Sequence, residues 1–282
     1  MKLIADSFDE LYTEICSIII NTTDEASPRN FKTFEILGNI LILNNPRTRI
    51  LQNNIRKISL PFAIGEWVWT MTGSDSLQFI QYYAPSYGKY SDDGKTLHGA
   101  YGPRIKDQIP KIIKVLKKDK ESRRAVLSIY NASDVAKDSK DIPCTLTLQF
   151  LIRSNKLTLV TNMRSNDVYL GLPYDVFNFT MIQEYVATLL NVEVGAYIHI
   201  VNSLHVYEKD REKIKRIASN PSSTEIPMRS MLSERVCEKS LENFFTVESK
   251  IRGDDLLKEQ ELQVNGYFEY FKNILLDFKR NK

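Results

Sequence analysis

Hydrophobic residues near the start of the chain recur at helical spacing. The predicted apolar face comprises Phe8, Leu11, Tyr12, Ile15 and 18–20. Positions three and four apart share one side of a helix, so the pattern predicts a helix capped by Asp6 or Ser7. A second apolar run, 60–71, also predicts a helix, and Glu66 is its single acidic residue.

Strands are predicted where apolar residues alternate or cluster between turn residues. They cover 34–43, 125–130, 146–153, 157–162 and 197–201. Two further helices are predicted over 105–116 and 176–190. Ser154 and Asn155 separate two strands and predict a hairpin. The tyrosine- and glycine-rich stretch 81–102 predicts a long loop that lines a pocket. About the last seventy residues predict mostly charged helices.

Charge adds one feature to this pattern. The 282 residues include 38 Lys and Arg against 35 Asp and Glu, a formal net charge of +3. This balance is typical of ordinary globular proteins and does not indicate a protein that coats nucleic acid. A local basic cluster can still create a strong field for a small anion. Its members are Lys117, Lys118, Lys120, Arg123 and Arg124.

The cysteines and histidines exclude two common structural frameworks. Cys16, Cys144 and Cys237 lie too far apart for a CxxC pair, and the three histidines form no HExxH motif. We therefore expect neither a disulfide scaffold nor a metal.

Nothing in the pattern indicates export, membrane insertion or a division by linkers. The apolar stretches are far shorter than the roughly 20 residues that span a bilayer. The first residues turn acidic at Asp6 and carry no cleavage site. At about 150 residues per domain, the length fits one large domain with appended elements. We expect a reduced, cytoplasmic protein that contacts neither a membrane nor nucleic acid directly.

Cys144 has the most reactive setting of the three cysteines. It follows Pro143 at the start of a predicted strand, where a side chain can face a pocket. A thiolate there would need nearby positive charge to lower its pKa. Without that charge, a buried strand cysteine is ordinarily inert. Two other catalytic patterns are absent: 88–96 misses the phosphate-loop spacing, and no GxSxG occurs.

The segment 162–175 concentrates polar residues between a predicted strand and a helix. Arginine, serine, asparagine and aspartate side chains occur there together with glycine and proline. Such a cluster at a strand end is a plausible ligand site. The alternative is a polar loop that satisfies its own hydrogen bonds.

Five short blocks of this sequence resemble, in order and spacing, the signature blocks of the thymidylate synthase family. They are 121–124, 143–144, 164–167, 171–173 and 203–207, within a resemblance that covers about residues 29–210. The family implies an α+β, three-layer fold whose large mixed sheet lies at the interface of a homodimer. The resemblance thus implies a catalytic domain at 1–210, with 211–282 as a mostly helical extension packed on it.

The resemblance also implies a role for each matching residue. Catalytic roles fall on Cys144 as the nucleophile and on Glu66, Tyr101 and Asp175. Nucleotide-binding roles fall on Arg29, Arg123, Arg124, Arg164, Ser165, Asn166, Asp175, His205 and Tyr207. The co-substrate is 5,10-methylenetetrahydrofolate, near Asp167, Gly171, Tyr174, Tyr87 and Tyr90. In this family the arginines at 123 and 124 enter the site of the other subunit. For Glu66, the alternative is that it caps a buried network.

Three departures from the family pattern indicate which base is bound and which reaction completes the product. Asp175 stands where a thymidylate synthase has an asparagine that pairs with uracil, and a carboxylate suits the amine of cytosine instead. Thr145 replaces a histidine, and 276–282 lacks the apolar tail that excludes water. Together they resemble the phage deoxycytidylate hydroxymethylases.

We therefore expect 5-hydroxymethylation of a cytosine nucleotide, dCMP or CMP, with water as the final nucleophile. Two alternatives stay open. One is methylation of dUMP or dCMP. The other is a catalytically idle homologue that only binds nucleotide.

Overall fold

One mixed β-sheet forms the centre of the molecule. The computed structural model describes residues 1–221, 225–253 and 261–282. The strands within them are β1 (Lys2–Ala5), β2 (Glu25–Ala26), β3 (Thr33–Leu43), β4 (Val126–Ser128), β5 (Thr145–Arg153), β6 (Lys156–Asp167) and β7 (Glu193–Tyr207). Their order is β1-β3-β7-β6-β5-β4, and β2 pairs with β3. The β1–β3 and β6–β7 pairs are parallel, and the other pairs are antiparallel.

Helices cover one face of this sheet. Their bounds are α1 (Phe8–Ile19), α2 (Leu60–Met71), α3 (Leu77–Tyr83), α4 (Gly102–Ile105), α5 (Ile109–Lys118), α6 (Leu172–Leu189), α7 (Arg211–Ala218), α8 (Glu238–Gly253) and α9 (Gly266–Arg280). The helices α1 and α6 contact the sheet directly, and α2 packs on α6. Almost every residue of α6 is buried, so α6 is the central helix of the core. This layered arrangement is the α+β fold expected from the sequence.

The opposite face of the sheet remains partly open to solvent. Inward residues of β6 and β7, such as Leu159 and His199, are buried, whereas their neighbours Val160 and Ile198 are half-buried. At the sheet edges the outward side chains are more open: Ile4 is 52 % exposed, Ile40 37 % and Val126 44 %. An apolar sheet face of this kind is typical of a surface that a second protein covers.

Two predicted helices and one hairpin are confirmed. The first helix spans Phe8–Ile19, and its cap is Ser7, whose Oγ accepts the Glu10 N–H at 3.2 Å. The second spans Leu60–Met71. Ser154 and Asn155 form the hairpin turn with φ of 49° and 59°, values that asparagine tolerates better than most residues.

Several predicted boundaries are wrong. The stretch 81–102 is not all loop, because α3 extends to Tyr83 and a 3-10 turn covers Pro85–Tyr90. The helix predicted over 105–116 is two helices, α4 and α5. The strands β6 and β7 extend well beyond the apolar runs that predicted them, because their polar ends pair in register as far as Asp167 and His205. The short strand β1 was not predicted.

The two C-terminal helices complete the core around α2. Trp67 of α2 is fully buried, and the rings of Phe244 and Phe268 stack on it, each at 6.3 Å between centroids. The side of α2 opposite the sheet is therefore covered by α8 and α9. In the described part of the chain, no helix is long and apolar enough to cross a membrane.

Candidate active site

An arginine holds the backbone that presents Cys144. Arg164 on β6 donates from Nε to the carbonyl of Pro143 at 2.9 Å and from Nη2 to the carbonyl of Ile142 at 3.0 Å. Its backbone N–H also donates to the carbonyl of Cys144 at 2.9 Å. Burial raises the pKa of the Cys144 thiol, whereas the positive charges of Arg164 and Arg29 act in the opposite direction. The thiol is therefore half-buried beside fixed positive charge.

Glu66 is a half-buried acid with one hydroxyl partner. It lies on the apolar helix α2, and the Tyr87 hydroxyl donates to its Oε1 at 3.0 Å. Burial raises the pKa of Glu66 to about 7, and the Tyr87 hydrogen bond only partly offsets this shift. Glu66 can therefore both accept and release a proton near neutral pH.

A second carboxyl, Asp175, keeps its proton to a still higher pH. It lies in the first turn of α6, and Asn166 Nδ2 donates to its Oδ2 at 2.7 Å. Burial raises the pKa of Asp175 to about 8, and the nearby charge of Glu66 adds to this shift. Both carboxyls therefore titrate near neutral pH, and Asp175 keeps its proton to higher pH than Glu66 does.

Tyr101 lies among these groups. Thr145 Oγ1 donates to its hydroxyl at 2.9 Å, and its ring stacks on Phe179 at 5.9 Å. Burial raises the pKa of Tyr101, and the negative charges of Asp175 and Cys144 raise it further. The structure therefore brings together the four residues to which the sequence assigned catalytic roles.

The residues expected to bind the nucleotide's phosphate and sugar lie in two groups. Ser165, His205 and Tyr207 are close to one another: Ser165 Oγ is 3.5 Å from His205 Nδ1, and the His205 and Tyr207 rings meet edge-on at 5.4 Å. Arg29 lies nearby in the left-handed region at φ 55°, and its charge lowers the pKa of Tyr207, although burial raises that pKa overall. Together with Arg164, this first group forms a basic, hydroxyl-rich rim.

Arg123 and Arg124 form the second group. Both side chains are exposed just before β4, beside Val126 on the open face of the sheet. The carbonyl of Arg123 accepts a hydrogen bond from Gln149 Nε2 at 2.9 Å, and Gln149 also lies on that face. Both arginine side chains are thus exposed to solvent and lie apart from the first group.

The other side of the pocket combines aromatic rings with an unpaired acceptor. Phe62 contacts Tyr174 and Tyr87, with ring centroids 4.7 Å and 5.6 Å apart, and Tyr90 meets Tyr87 at 5.7 Å. Asp167 Oδ1 accepts two backbone N–H groups, but its buried Oδ2 has no hydrogen-bond partner among the described residues. The aromatic rings offer flat surfaces on which a planar ring could stack.

Gly171 is required by close packing at this point. A Cβ at this position would lie 3.0 Å from Asn166 Nδ2 and 3.3 Å from Asp175 Oδ2. A side chain here would therefore disturb the hydrogen bond between those two residues.

The sequence interpretation missed two buried residues behind Asn166. His199 Nε2 lies 2.9 Å from Asn166 Oδ1, and His199 Nδ1 lies 2.6 Å from the Tyr197 hydroxyl. The available signal was a histidine between Ile198 and Ile200 in an apolar strand, at a position that faces the core. Asn166 itself is buried, and both ends of its amide are already engaged.

Comparison with known proteins assigns this fold and pocket to a family. The thymidylate synthase family model matches residues 10–256. The chain therefore belongs to the thymidylate synthase family.

Phage enzymes are among its similar relatives. The chain is 34 % identical over 219 residues to a deoxyuridylate hydroxymethyltransferase of Bacillus phage SP01. The aligned region covers 71 % of this chain and 57 % of that protein. It is also 34 % identical over 194 residues to an enzyme of the same name from Pseudomonas phage M6, covering 64 % and 55 %. The chain thus spans little more than half the length of these relatives.

Thymidylate synthases match over more of their own length. The enzyme of Bacillus phage phi3T is 26 % identical over 233 residues, which cover 74 % of this chain and 82 % of that enzyme. Among solved structures, thymidylate synthase A of Bacillus subtilis superposes with a TM-score of 0.67 at 22 % identity, covering 78 % of this chain and 86 % of that one. The fold assignment therefore agrees with the family assignment.

Proposed function

We propose that this protein is a folate-dependent one-carbon transferase that hydroxymethylates C5 of a cytosine nucleotide, dCMP or CMP. The observation that carries the proposal is the pair of carboxyls beside the Cys144 thiol. Burial raises the pKa of both carboxyls and raises that of Asp175 further, so Glu66 would act as the base and Asp175 as the acid.

A protonated Asp175 suits the edge of cytosine. The ring presents an acceptor at N3 and donors at its exocyclic amine, so a carboxyl can donate to N3 and accept from the amine. When a thiolate adds to C6, electron density moves toward N3, and Asp175 can deliver its proton there. Uracil already carries a hydrogen on N3 and gains nothing from this transfer.

Cys144 and Glu66 carry the other steps. Cys144 would lose its proton to Glu66 through an ordered water, and its Sγ would then bond to C6 of the ring. This addition makes C5 nucleophilic. When bound, methylenetetrahydrofolate supplies a one-carbon unit at the oxidation level of formaldehyde. Tyr101 would help to remove the C5 hydrogen. The bond between the one-carbon unit and the folate nitrogen then breaks, tetrahydrofolate leaves, and the exocyclic carbon becomes an electrophilic methylene. Water adds to this carbon, and the C6–S bond breaks to release Cys144.

The folate would lie against the aromatic side of the pocket. Tyr87, Tyr90 and Tyr174 supply rings for stacking, and the unpaired Oδ2 of Asp167 supplies an acceptor for a pterin N–H. Gly171, which packs against Asn166 and Asp175, would lie near the folate as the family implies. These contacts support the folate assignment that the family implies.

We further propose a homodimer built on the open face of the sheet. The exposed apolar residues of that face favour burial against a second copy. Arg29, Arg164, Ser165, His205 and Tyr207 would bind the nucleotide within one subunit. Arg123 and Arg124, which flank the same face, would complete the phosphate site of the other subunit, because arginine binds phosphate with two parallel hydrogen bonds.

The domain division and setting complete the proposal. Residues 1–210 would form the catalytic unit, and 211–282 would cover α2 from outside. The phage origin of several relatives supports activity in a host cytoplasm.

A second candidate substrate is a uracil nucleotide. It is favoured by the relatives named deoxyuridylate hydroxymethyltransferases. Asp175 does not exclude it, since a protonated carboxyl can also donate to the carbonyl at position 4 and accept from N3–H. Whether cytosine or uracil fits then depends on which of the two Asp175 oxygens carries the proton.

Product analysis tests the function. The enzyme is incubated with methylenetetrahydrofolate and with dCMP, CMP or dUMP, and nucleotide and folate products are identified by mass. We expect a hydroxymethylcytosine nucleotide together with tetrahydrofolate. A methylated product with dihydrofolate would instead establish synthase chemistry, and a hydroxymethyluracil product would establish the second candidate. Nucleotide binding without turnover would establish an idle homologue.

A further inference from the structure

We propose that Tyr197 and His199 on β7 fix which oxygen of Asp175 accepts and which donates, and thereby select the base. This inference rests on the proposed function. The two residues do not touch the substrate. They act through Asn166 as positioning residues.

A continuous chain of hydrogen bonds connects the sheet to the pocket. The Tyr197 hydroxyl lies 2.6 Å from His199 Nδ1, and His199 Nε2 lies 2.9 Å from Asn166 Oδ1. Asn166 Nδ2 then donates to Asp175 Oδ2 at 2.7 Å. The first three residues are each at most 3 % exposed, so water does not compete for these contacts.

The chemistry of each group sets the direction of the chain. An amide oxygen only accepts, so His199 Nε2 must carry a hydrogen. Burial lowers the pKa of His199 to about 3, so the ring is neutral and Nδ1 is an acceptor for the Tyr197 hydroxyl. Asn166 is held with its NH2 group toward Asp175. Every donor in the chain thus points toward an acceptor.

This direction makes the two oxygens of Asp175 inequivalent. Oδ2 accepts from Asn166, so a proton on the carboxyl resides on Oδ1. Cys144 and the phosphate site would fix the orientation of the pyrimidine ring. In that orientation, an acceptor at Oδ2 and a donor at Oδ1 can match the hydrogen-bonding edge of cytosine or that of uracil, but not both. Reversal of the Asn166 amide would exchange the two roles. Under the proposed function, the observed direction is the one that matches cytosine.

Matched variants at position 199 provide the test. His199→Gln keeps an N–H close to the position of Nε2, whereas His199→Leu removes it and frees the Asn166 amide to rotate. We expect His199→Leu to reduce the dCMP-to-dUMP ratio of kcat/KM by at least about tenfold, and His199→Gln to retain most of it. Tyr197→Phe, which removes the terminal donor but keeps the ring, should reduce the ratio by a smaller factor.

The ratio separates this role from a purely structural one. A general loss of packing lowers kcat/KM for both nucleotides alike and leaves the ratio unchanged. An unchanged ratio in His199→Leu and Tyr197→Phe would overturn the inference and leave the proposed function intact. A wild type that prefers dUMP would overturn the cytosine assignment. If, in that case, the dCMP-to-dUMP ratio of kcat/KM still shifts in His199→Leu but not in His199→Gln, Tyr197 and His199 keep their role in positioning Asp175.

Discussion

At the scale of single residues, the proposed chemistry rests on two carboxyls and one thiol. Glu66 and Asp175 have the same functional group but different surroundings, since Tyr87 donates to the first and Asn166 to the second. The charge of Glu66 holds the proton on Asp175 to higher pH. The pocket thereby provides a base and an acid at the same pH.

The nucleophile is tested by Cys144→Ser. We expect this variant to lose turnover but to bind nucleotide within about tenfold of wild type, because phosphate contacts supply the ground-state affinity and the thiolate acts only in the reaction. Binding is measured by calorimetry and turnover by product formation. Substantial product from Cys144→Ser would remove Cys144 from its proposed role.

The carboxyl pair predicts a narrow pH optimum. Protonation of Glu66 below about 7 and ionisation of Asp175 above about 8 should each reduce kcat/KM for the cytosine nucleotide. Asp175→Asn should lower the activity and abolish the alkaline limb, because no ionisable group remains at that position. A pH profile of Asp175→Asn that keeps the alkaline limb would assign that limb to another group.

At the scale of secondary-structure elements, α3 and α8 hold α2 in place. Tyr83 of α3 donates to the buried carboxylate of Glu248 on α8 at 2.5 Å, and Arg252 Nε donates to the same oxygen at 2.8 Å. The Tyr83 ring lies directly against Gly65, where an added Cβ would be 2.3 Å from ring carbon Cδ2. The backbone next to Glu66 is therefore positioned by a contact that includes the C-terminal helices.

Gly65→Ala tests this support. The added methyl group must displace the Tyr83 ring or the backbone of α2, so we expect kcat to fall by about 10- to 100-fold while nucleotide affinity changes little. Gly253→Ala is the matched control, since a Cβ there meets no atom within 4 Å. Equal kcat values for the two variants would show that Glu66 does not depend on this contact.

The sequence predicted elements and site residues to different extents. The apolar runs of α1 and α2 specify their bounds because local periodicity and caps suffice. By contrast, β1 has only four residues and depends on pairing with β3, which no local pattern reveals. The motif blocks pointed to Cys144 and Arg164, which the structure places in contact, whereas the contact between His199 and Asn166 joins residues distant in sequence.

At the scale of the whole molecule, the open sheet face and the exposed Arg123 and Arg124 beside it are the basis for the proposed shared active site. In the proposed dimer, each subunit would hold Cys144 in its own pocket. In a twofold dimer each subunit then supplies arginines to its partner and receives arginines in return.

Subunit mixing tests this arrangement. An Arg123→Ala/Arg124→Ala variant and a Cys144→Ser variant should each be nearly inactive alone. Mixed under conditions of subunit exchange, they form hybrid dimers with one intact site, and random exchange predicts about a quarter of wild-type activity. If exchange is verified by mass spectrometry and no activity returns, the arginines do not act across the interface.

The most direct test of the central claim, that Asp175 reads cytosine, is the competition between dCMP and dUMP in wild type and in Asp175→Asn. An amide can donate to the uracil carbonyl without giving up its acceptor. We predict that wild type prefers dCMP and that Asp175→Asn shifts the kcat/KM ratio toward dUMP by about 10² to 10⁴. A wild type that prefers dUMP, or a ratio unchanged by Asp175→Asn, would contradict the account.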